Sequence, residues 1–157
     1  MGCQLVNQAQ QVISRLVDMG VDPYLVSEGL VLASSQRLLR RVCPKCAQEV
    51  SHPAAVVAEW RTRVEAEGLT WPEEAPAFRR GKGCDHCRGG GYFGRTALFE
   101  LLVMDRGLAD MVSARAEPSE IRTAAIKHGM TTMFADGMAK ALAGETTVEE
   151  VLRVLGG

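Results

Sequence analysis

The sequence predicts a mainly α protein with a few short β strands, organised around a lobe held by four cysteines. Three observations point there. Cys43 with Cys46 and Cys84 with Cys87 form two C-x-x-C pairs in a chain of 157 residues. Aromatic residues make up only 5% of the chain, so the core must be built from Leu, Val, Ala and Met; that composition favours helices over a β sandwich. The last third carries apolar residues at helical spacing, with punctuation between the runs.

Taken in order, Ala9, Val12, Ile13, Leu16 and Met19 share one face of a helix expected over 7–19, capped by Gly20. Asp22-Pro23 reads as an N-cap followed by proline at the first helical position, opening a second helix that runs to about Glu28. Leu30-Val31-Leu32-Ala33 is a short apolar run with the look of a buried strand, and Arg37 to Val42 leads on to the first cysteine pair. Pro53 opens a helix that places Val56, Val57, Trp60 and Val64 on one face, with Gly68 to close it. Residues 70–83 are rich in proline, glycine and charge and read as a surface loop. Within that loop Trp71, beside Pro72, is expected to be exposed, whereas Trp60 belongs to the core. After Cys87 come Gly89, Gly90 and Gly91, where backbone amides turn towards sulfur and positive φ is needed. Thr96 to Leu102 is the best strand candidate.

Four helices are expected after it. Asp105 caps one carrying Leu108, Met111 and Val112. Pro118 opens another, with Ile121, Ala124 and Ala125, ended by Gly129. A third spans 132–143, stopped by Gly144. Thr146 with Glu149 reads as a capping box in front of Val151, Leu152 and Leu155.

The paired cysteines carry the most specific chemistry. Each C-x-x-C lets two sulfurs meet one ion from a single turn, and two pairs complete a tetrahedral zinc site through Cys43, Cys46, Cys84 and Cys87. Four protein ligands leave no open position for water or substrate, so the zinc is expected to be structural. Three alternatives stand beside it: disulfides, which need an oxidising compartment although Met1–Val6 opens no secretory signal; a redox motif, which needs a thioredoxin-like context; and iron, which also accepts four thiolates. Cys3 is the odd cysteine and reads as a free thiol near the terminus. His86 lies inside a knuckle but has no role once four thiolates are in place, and His128 suits the C-terminal end of a helix dipole.

Formal net charge is −1, with both signs mixed along the chain, which argues against a nucleic-acid partner. Local clusters stand out before each cysteine pair: Arg37, Arg40 and Arg41, then Arg79, Arg80 and Lys82. Their simplest role is to compensate a doubly negative zinc tetrathiolate. No apolar run approaches the roughly 20 residues a membrane-spanning helix needs, so a soluble, cytoplasmic protein is expected. There is no G-x-x-x-x-G-K-S/T phosphate loop, since Gly81-Lys82-Gly83-Cys84 has the wrong glycine spacing. His52, His86 and His128 form no acid–base constellation. The chain alone is therefore expected not to be an enzyme.

The order of motifs resembles the C-terminal portion of the type II secretion and type IV pilus assembly ATPases. The residues that carry the resemblance are Arg15 to Pro23, Gln36-Arg37-Leu38-Leu39-Arg40 before Cys43-Pro44-x-Cys46, and Gly83-Cys84-x-x-Cys87 before Gly91-Tyr92-x-Gly94-Arg95-Thr96 and Glu100-Leu101-Leu102. Gly129-Met130, Asp136-Gly137, Lys140, Thr146-Thr147 and Glu149 to Arg153 complete it. The resemblance implies the helical C-terminal part of a RecA-like ATPase domain with an inserted tetracysteine zinc lobe. It divides the chain into 1–41, the end of the ATPase core; 42–95, the zinc lobe; and 96–157, a strand and helical subdomain. It also implies ATP and Mg2+ bound only in the full-length motor, a homo-hexamer, and a place beside the bacterial inner membrane through a platform protein or a cytoplasmic adaptor. Arg37 and Arg95 would then lie near the nucleotide. Where the family reads like His-Thr-Asn-x-Ala, Val6-Asn7-Gln8-Ala9 lacks the histidine, so the chain reads as a C-terminal fragment or a degenerate short relative. A standalone zinc-ribbon adaptor binding nucleic acid, and the zinc repeat of DnaJ-type chaperones, are the rival readings. Within a motor, the helix over 53–67 and the loop over 70–82 are the parts expected to meet a partner.

Overall fold

The computed structural model describes residues 8–67, 70–72 and 78–156. Cys3, Gly68 and the start of the chain lie outside them. In chain order the elements are α1 (Gln11–Asp18), α2 (Pro23–Gly29), β1 (Leu32–Val42), β2 (Ala47–Glu49), α3 (Ala54–Ala66), β3 (Arg79–Gly81), a short 3-10 turn (Asp85–Cys87), β4 (Tyr92–Val103), α4 (Arg106–Ser113), α5 (Pro118–Lys127), α6 (Met133–Leu142) and α7 (Val148–Leu155). The mainly helical reading with a few strands is borne out. β1 pairs with β4, and β2 with β3. Among the described residues no helix is long and apolar enough to cross a membrane. Packing gathers the chain into two compact units, each discontinuous in sequence: Met1–Gln36 with Phe99–Thr132, and Arg37–Leu98 with Met133–Gly157.

The first unit follows its local signals closely. Asp22 accepts a hydrogen bond from the Tyr24 N–H at 2.9 Å, with Pro23 next to it as expected. Asp105 caps α4 through the Leu108 N–H, also at 2.9 Å. Ile13, Val26, Leu102, Leu108, Val112 and Ile121 meet in one apolar core. Into it the chain sinks a carboxylate, Glu100, which is only 1% exposed. It accepts the Ala9 N–H at 2.8 Å and Arg122 Nη1 at 3.1 Å, so the buried charge is paired. His128 terminates α5 as the dipole argument requires, and it also meets Asp105, Nδ1 to Oδ2 at 2.5 Å. The run at Leu30–Ala33 is not a buried strand. β1 begins at Leu32, and Val31 and Leu32 are 76% and 48% exposed.

The second unit corrects the sequence reading in two places. Trp71 is 8% exposed and packs in the core with Trp60, Val64, Phe78, Leu98 and Met138. The stretch over 70–83 is therefore not simply a surface loop: Trp71 and Phe78 anchor its described ends in the core, and β3 follows. A composition rich in proline and charge hid two aromatic anchors, each of which removes far more apolar area from water than its neighbours. The α3 face is as expected, with Trp60 and Val64 buried. The second correction is the start of α7. Thr147, not Thr146, is its N-cap, accepting the Glu150 N–H at 3.1 Å. The adjacent Thr146 hydroxyl instead donates to the Arg40 carbonyl at 2.8 Å.

Candidate metal centre

The centre is assembled from two turns and a short hairpin. Cys43-Pro44-Lys45-Cys46 closes with the Cys46 N–H donating to the Cys43 carbonyl at 3.3 Å. Proline at the second position has its φ fixed in advance for such a turn. β2 and β3 then pair antiparallel, Ala47 opposite Gly81 and Glu49 opposite Arg79, which delivers the chain to Cys84. Cys84 caps the 3-10 turn, whose last residue is Cys87, and Arg88 leaves it in the left-handed region at φ 52°.

Glycines let the second knuckle fold back on its own approach. A Cβ on Gly81 would stand 2.0 Å from the Gly91 carbonyl oxygen, and one on Gly83 would stand 2.6 Å from that of Gly89. Gly81-x-Gly83 thus lies against Gly89-x-Gly91, backbone on backbone. The sequence reading gives Gly81 no role beyond failing to make a phosphate loop, and Gly83 only a place in the motif that carries the resemblance. The mirrored G-x-G spacing around the cysteine pair was the signal available. The Cys43 N–H donates to the Gly91 carbonyl at 2.9 Å and ties the two knuckles together.

All four sulfurs lie within 4.8 Å of one another. The Cys84–Cys87, Cys46–Cys87 and Cys43–Cys84 separations are 3.7, 3.8 and 3.9 Å. A tetrahedron with zinc–sulfur bonds near 2.3 Å has edges of about 3.8 Å, so the four thiols fit one such ion. The same distances are far beyond the roughly 2.05 Å of a disulfide bond, and all four cysteines are free. Burial pushes the Cys87 thiol up, but N–H groups of Cys84 and Gly91 aimed at its sulfur, with the Cys84 and Cys46 side chains, outweigh that and hold it at about 7. Burial pushes Cys46 up to about 12, and the three neighbouring thiols add to it. A cation among the sulfurs would reverse that second effect by favouring thiolate.

Beside the centre, β1 and α7 are locked through a buried carboxylate. Glu150, 1% exposed, receives Arg40 Nη2 at 2.6 Å and Nε at 3.0 Å, and Arg153 Nη2 at 2.6 Å and Nε at 2.8 Å. Arg40 lies over the Tyr92 ring, 4.3 Å from its centroid, and the Tyr92 hydroxyl meets Thr147 Oγ1 at 2.9 Å. Arg40 is therefore tied to a carboxylate rather than held for the thiolates. Val42, next to Cys43, donates its N–H to the Glu145 carbonyl at 2.9 Å. The proposed nucleotide-proximal residues take separate places: Arg37 donates to the Val154 carbonyl at the end of α7, and Arg95 is exposed on β4. His86 stacks on Phe93 with ring centroids 4.0 Å apart.

Fold and site together define a helical protein with a closed, four-sulfur centre able to hold a metal ion such as zinc. The family described as "Type II/IV secretion system protein" matches residues 5–153, and the chain belongs to it. Over 147 residues the chain is 41% identical to the type IV pilus assembly ATPase PilB of Thermus thermophilus, covering 93% of this chain and 16% of that protein. It is 34% identical to the protein transport protein HofB homolog of Escherichia coli, covering 96% of this chain and 30% of the relative. With type II secretion system protein E of Pseudomonas aeruginosa the identity is 36%, over 94% of this chain and 28% of the relative. The chain thus spans less than a third of the length of these curated relatives.

Proposed function

We propose that this chain acts as the C-terminal, zinc-holding portion of a secretion or pilus assembly motor ATPase, and that its cysteine lobe couples the motor to an inner-membrane platform protein or cytoplasmic adaptor. The observation that carries the reading is the set of four sulfurs at tetrahedral spacing within a chain of this family. Cys43, Cys46, Cys84 and Cys87 hold the ion, which crosslinks two turns that share little apolar core. ATP and Mg2+ belong to the full-length homo-hexameric motor, where Arg37 and Arg95 approach the nucleotide. This segment supplies no phosphate loop and binds no nucleic acid.

A second feature supports the idea that the chain works as part of something larger. On the first unit Phe99, Leu101 and Val103 are between 45% and 63% exposed and alternate with buried residues, so the last part of β4 is apolar on the outward side. Strands of that kind are normally covered on both faces, and the remainder of the motor chain is the cover this reading supplies.

The test is a full-length motor shortened between Glu49 and Gly81, retaining all four cysteines and the glycines after them. Because Trp60, Trp71 and Phe78 belong to the core of the second unit, the shortened motor is first checked for zinc content and hexamer formation. Loss of platform binding with both intact supports the docking role. Normal binding and a normal rate of secretion or pilus assembly refute it and leave the lobe a scaffold.

A further inference from the structure

We propose that Cys84 is a modification site for hydrogen peroxide, and that its oxidation closes a disulfide to Cys87 and opens the four-sulfur centre. The inference rests on the metal reading and gives the same residues a second chemical state. The four cysteines differ in access. Cys43, Cys46 and Cys87 are buried, whereas Cys84 is partly exposed. The turn around it is bare: Gly83 precedes it, and Gly89 and Gly90 are exposed and carry no side chain. Gly89 lies directly on it, donating its N–H to the Cys84 carbonyl at 3.0 Å. Oxidation of a cysteine follows its thiolate character and its exposure. Coordination to one ion makes thiolates of all four sulfurs alike, so exposure decides among them and an oxidant in solvent meets Cys84 first.

A second sulfur stands ready to complete the reaction. Cys87 Sγ lies 3.7 Å from Cys84 Sγ. The Cys87 N–H donates to the Cys84 carbonyl at 3.1 Å, a turn that keeps the two Cα atoms within about 7 Å, the reach of a disulfide. Cys87 Sγ also accepts the N–H groups of Cys84 and Gly91, at 3.2 and 3.3 Å. Those donors hold negative charge on that sulfur when it parts from a metal. Cys43 Sγ is nearly as close to Cys84, at 3.9 Å, but a bond to it must draw two separate turns together, whereas Cys84 and Cys87 already share one. The Cys84 thiolate attacks one peroxide oxygen; an S–O bond forms, the O–O bond breaks and hydroxide leaves. The Cys87 thiolate then attacks the Cys84 sulfur of this sulfenic acid; an S–S bond forms and the second hydroxide leaves. Two thiolates lose two electrons, peroxide gains them, and solvent protonates both hydroxides to water. Cys43 and Cys46 alone then face the ion, two ligands where a closed zinc site needs four.

The experiment uses the whole chain carrying Cys3→Ser, which leaves the four cysteines of the centre out of five. Zinc content is measured first. One equivalent of hydrogen peroxide is then added, with a chromophoric chelator to follow released zinc, and in a parallel sample with dimedone to trap sulfenic acid. Trypsin cuts after Lys45, Lys82 and Arg88, so Cys84 and Cys87 share the peptide 83–88 while Cys43 and Cys46 fall on two others. Mass spectrometry therefore tells the possible disulfides apart. Dimedone is expected on Cys84, the disulfide within 83–88, and one zinc released for each peroxide consumed. Dithiothreitol with added zinc should restore the centre, and hydrogen exchange over 43–49 and 79–91 should rise on oxidation and fall again on reduction. Dimedone first on another cysteine, a disulfide joining 83–88 to a second peptide, or zinc retained by the oxidised protein each overturns the inference. A chain that holds no zinc at the outset would sink the metal reading; the same disulfide forming in it leaves Cys84 as the oxidation site, and its failure to form overturns that as well.

Discussion

Replacing Glu150 with glutamine should destabilise the second unit by about 2–3 kcal/mol at neutral pH, and the loss should disappear in acid. Burial alone would push this carboxyl up. The guanidinium groups of Arg153 and Arg40, with the Arg40 backbone N–H, outweigh burial and hold it at about 2, against an ordinary 4.5. That difference corresponds to about 3 kcal/mol in favour of the charged, folded form. Arg40 and Arg153 are 50% and 58% exposed and recover water when the carboxylate is lost, which trims the figure. The sign follows from the depressed value: the stabilisation is complete above the unfolded-state value near 4.5 and is lost as pH falls through about 2. Both tryptophans lie in the core of this unit, so their fluorescence during guanidinium unfolding reports on it directly. Acid also strips metal from thiolates, but wild type and Glu150→Gln share that effect, so the readout is the difference between them. A difference below about 0.5 kcal/mol at pH 7, within the range of an ordinary surface substitution, would refute the reasoning. A difference that persists undiminished at pH 2 would refute it equally.

Other predictions follow from the same structure. Cys46→Ser should abolish stoichiometric zinc binding and raise hydrogen exchange over 43–49 and 79–91, because a structural ion contributes on the order of 10 kcal/mol and, among the described residues, the only apolar cluster around these turns is the cysteines themselves; native exchange rates there in the metal-free protein would contradict this. Gly91→Ala should prevent the knuckle from closing, since its Cβ would lie 2.5 Å from the Gly81 carbonyl oxygen, whereas Gly94→Ala, at φ 78° with nothing within 4 Å, should cost only about 1 kcal/mol; equal zinc content and equal unfolding midpoints for the two would count against the backbone contact. Gly137→Ala should destabilise by about 1–3 kcal/mol through overpacking, because the new methyl would come within 2.7 Å of Val151 Cγ1, and an unchanged melting temperature would contradict it. A pure preparation of these residues should show no magnesium-dependent ATP hydrolysis, as it lacks the amide cradle and lysine that hold the β and γ phosphates; measurable turnover would refute that.

Features whose physics is local were legible in the sequence. Asp22-Pro23, Asp105 and Pro118 mark helix starts because a cap needs only its next three residues, and all three do so in the fold. C-x-x-C places two sulfurs on one turn whatever surrounds it, so the cysteine cluster is legible from residue spacing alone. The tertiary structure decided what local spacing leaves degenerate. In Thr146-Thr147-Val148-Glu149-Glu150 two threonine–glutamate pairs have the same separation, and sequence cannot choose between them. Burial of Glu150 between Arg40 and Arg153, from a strand more than a hundred residues away and from its own helix, sets the register. Trp71 went inward for a similar reason: its neighbours are polar and proline-rich, but a large apolar side chain gains most where Trp60 and Phe78 already exclude water. The contact of Gly81 and Gly83 with Gly91 and Gly89 appears only once the knuckle folds back on itself, because a missing Cβ has consequences only where another backbone occupies its place.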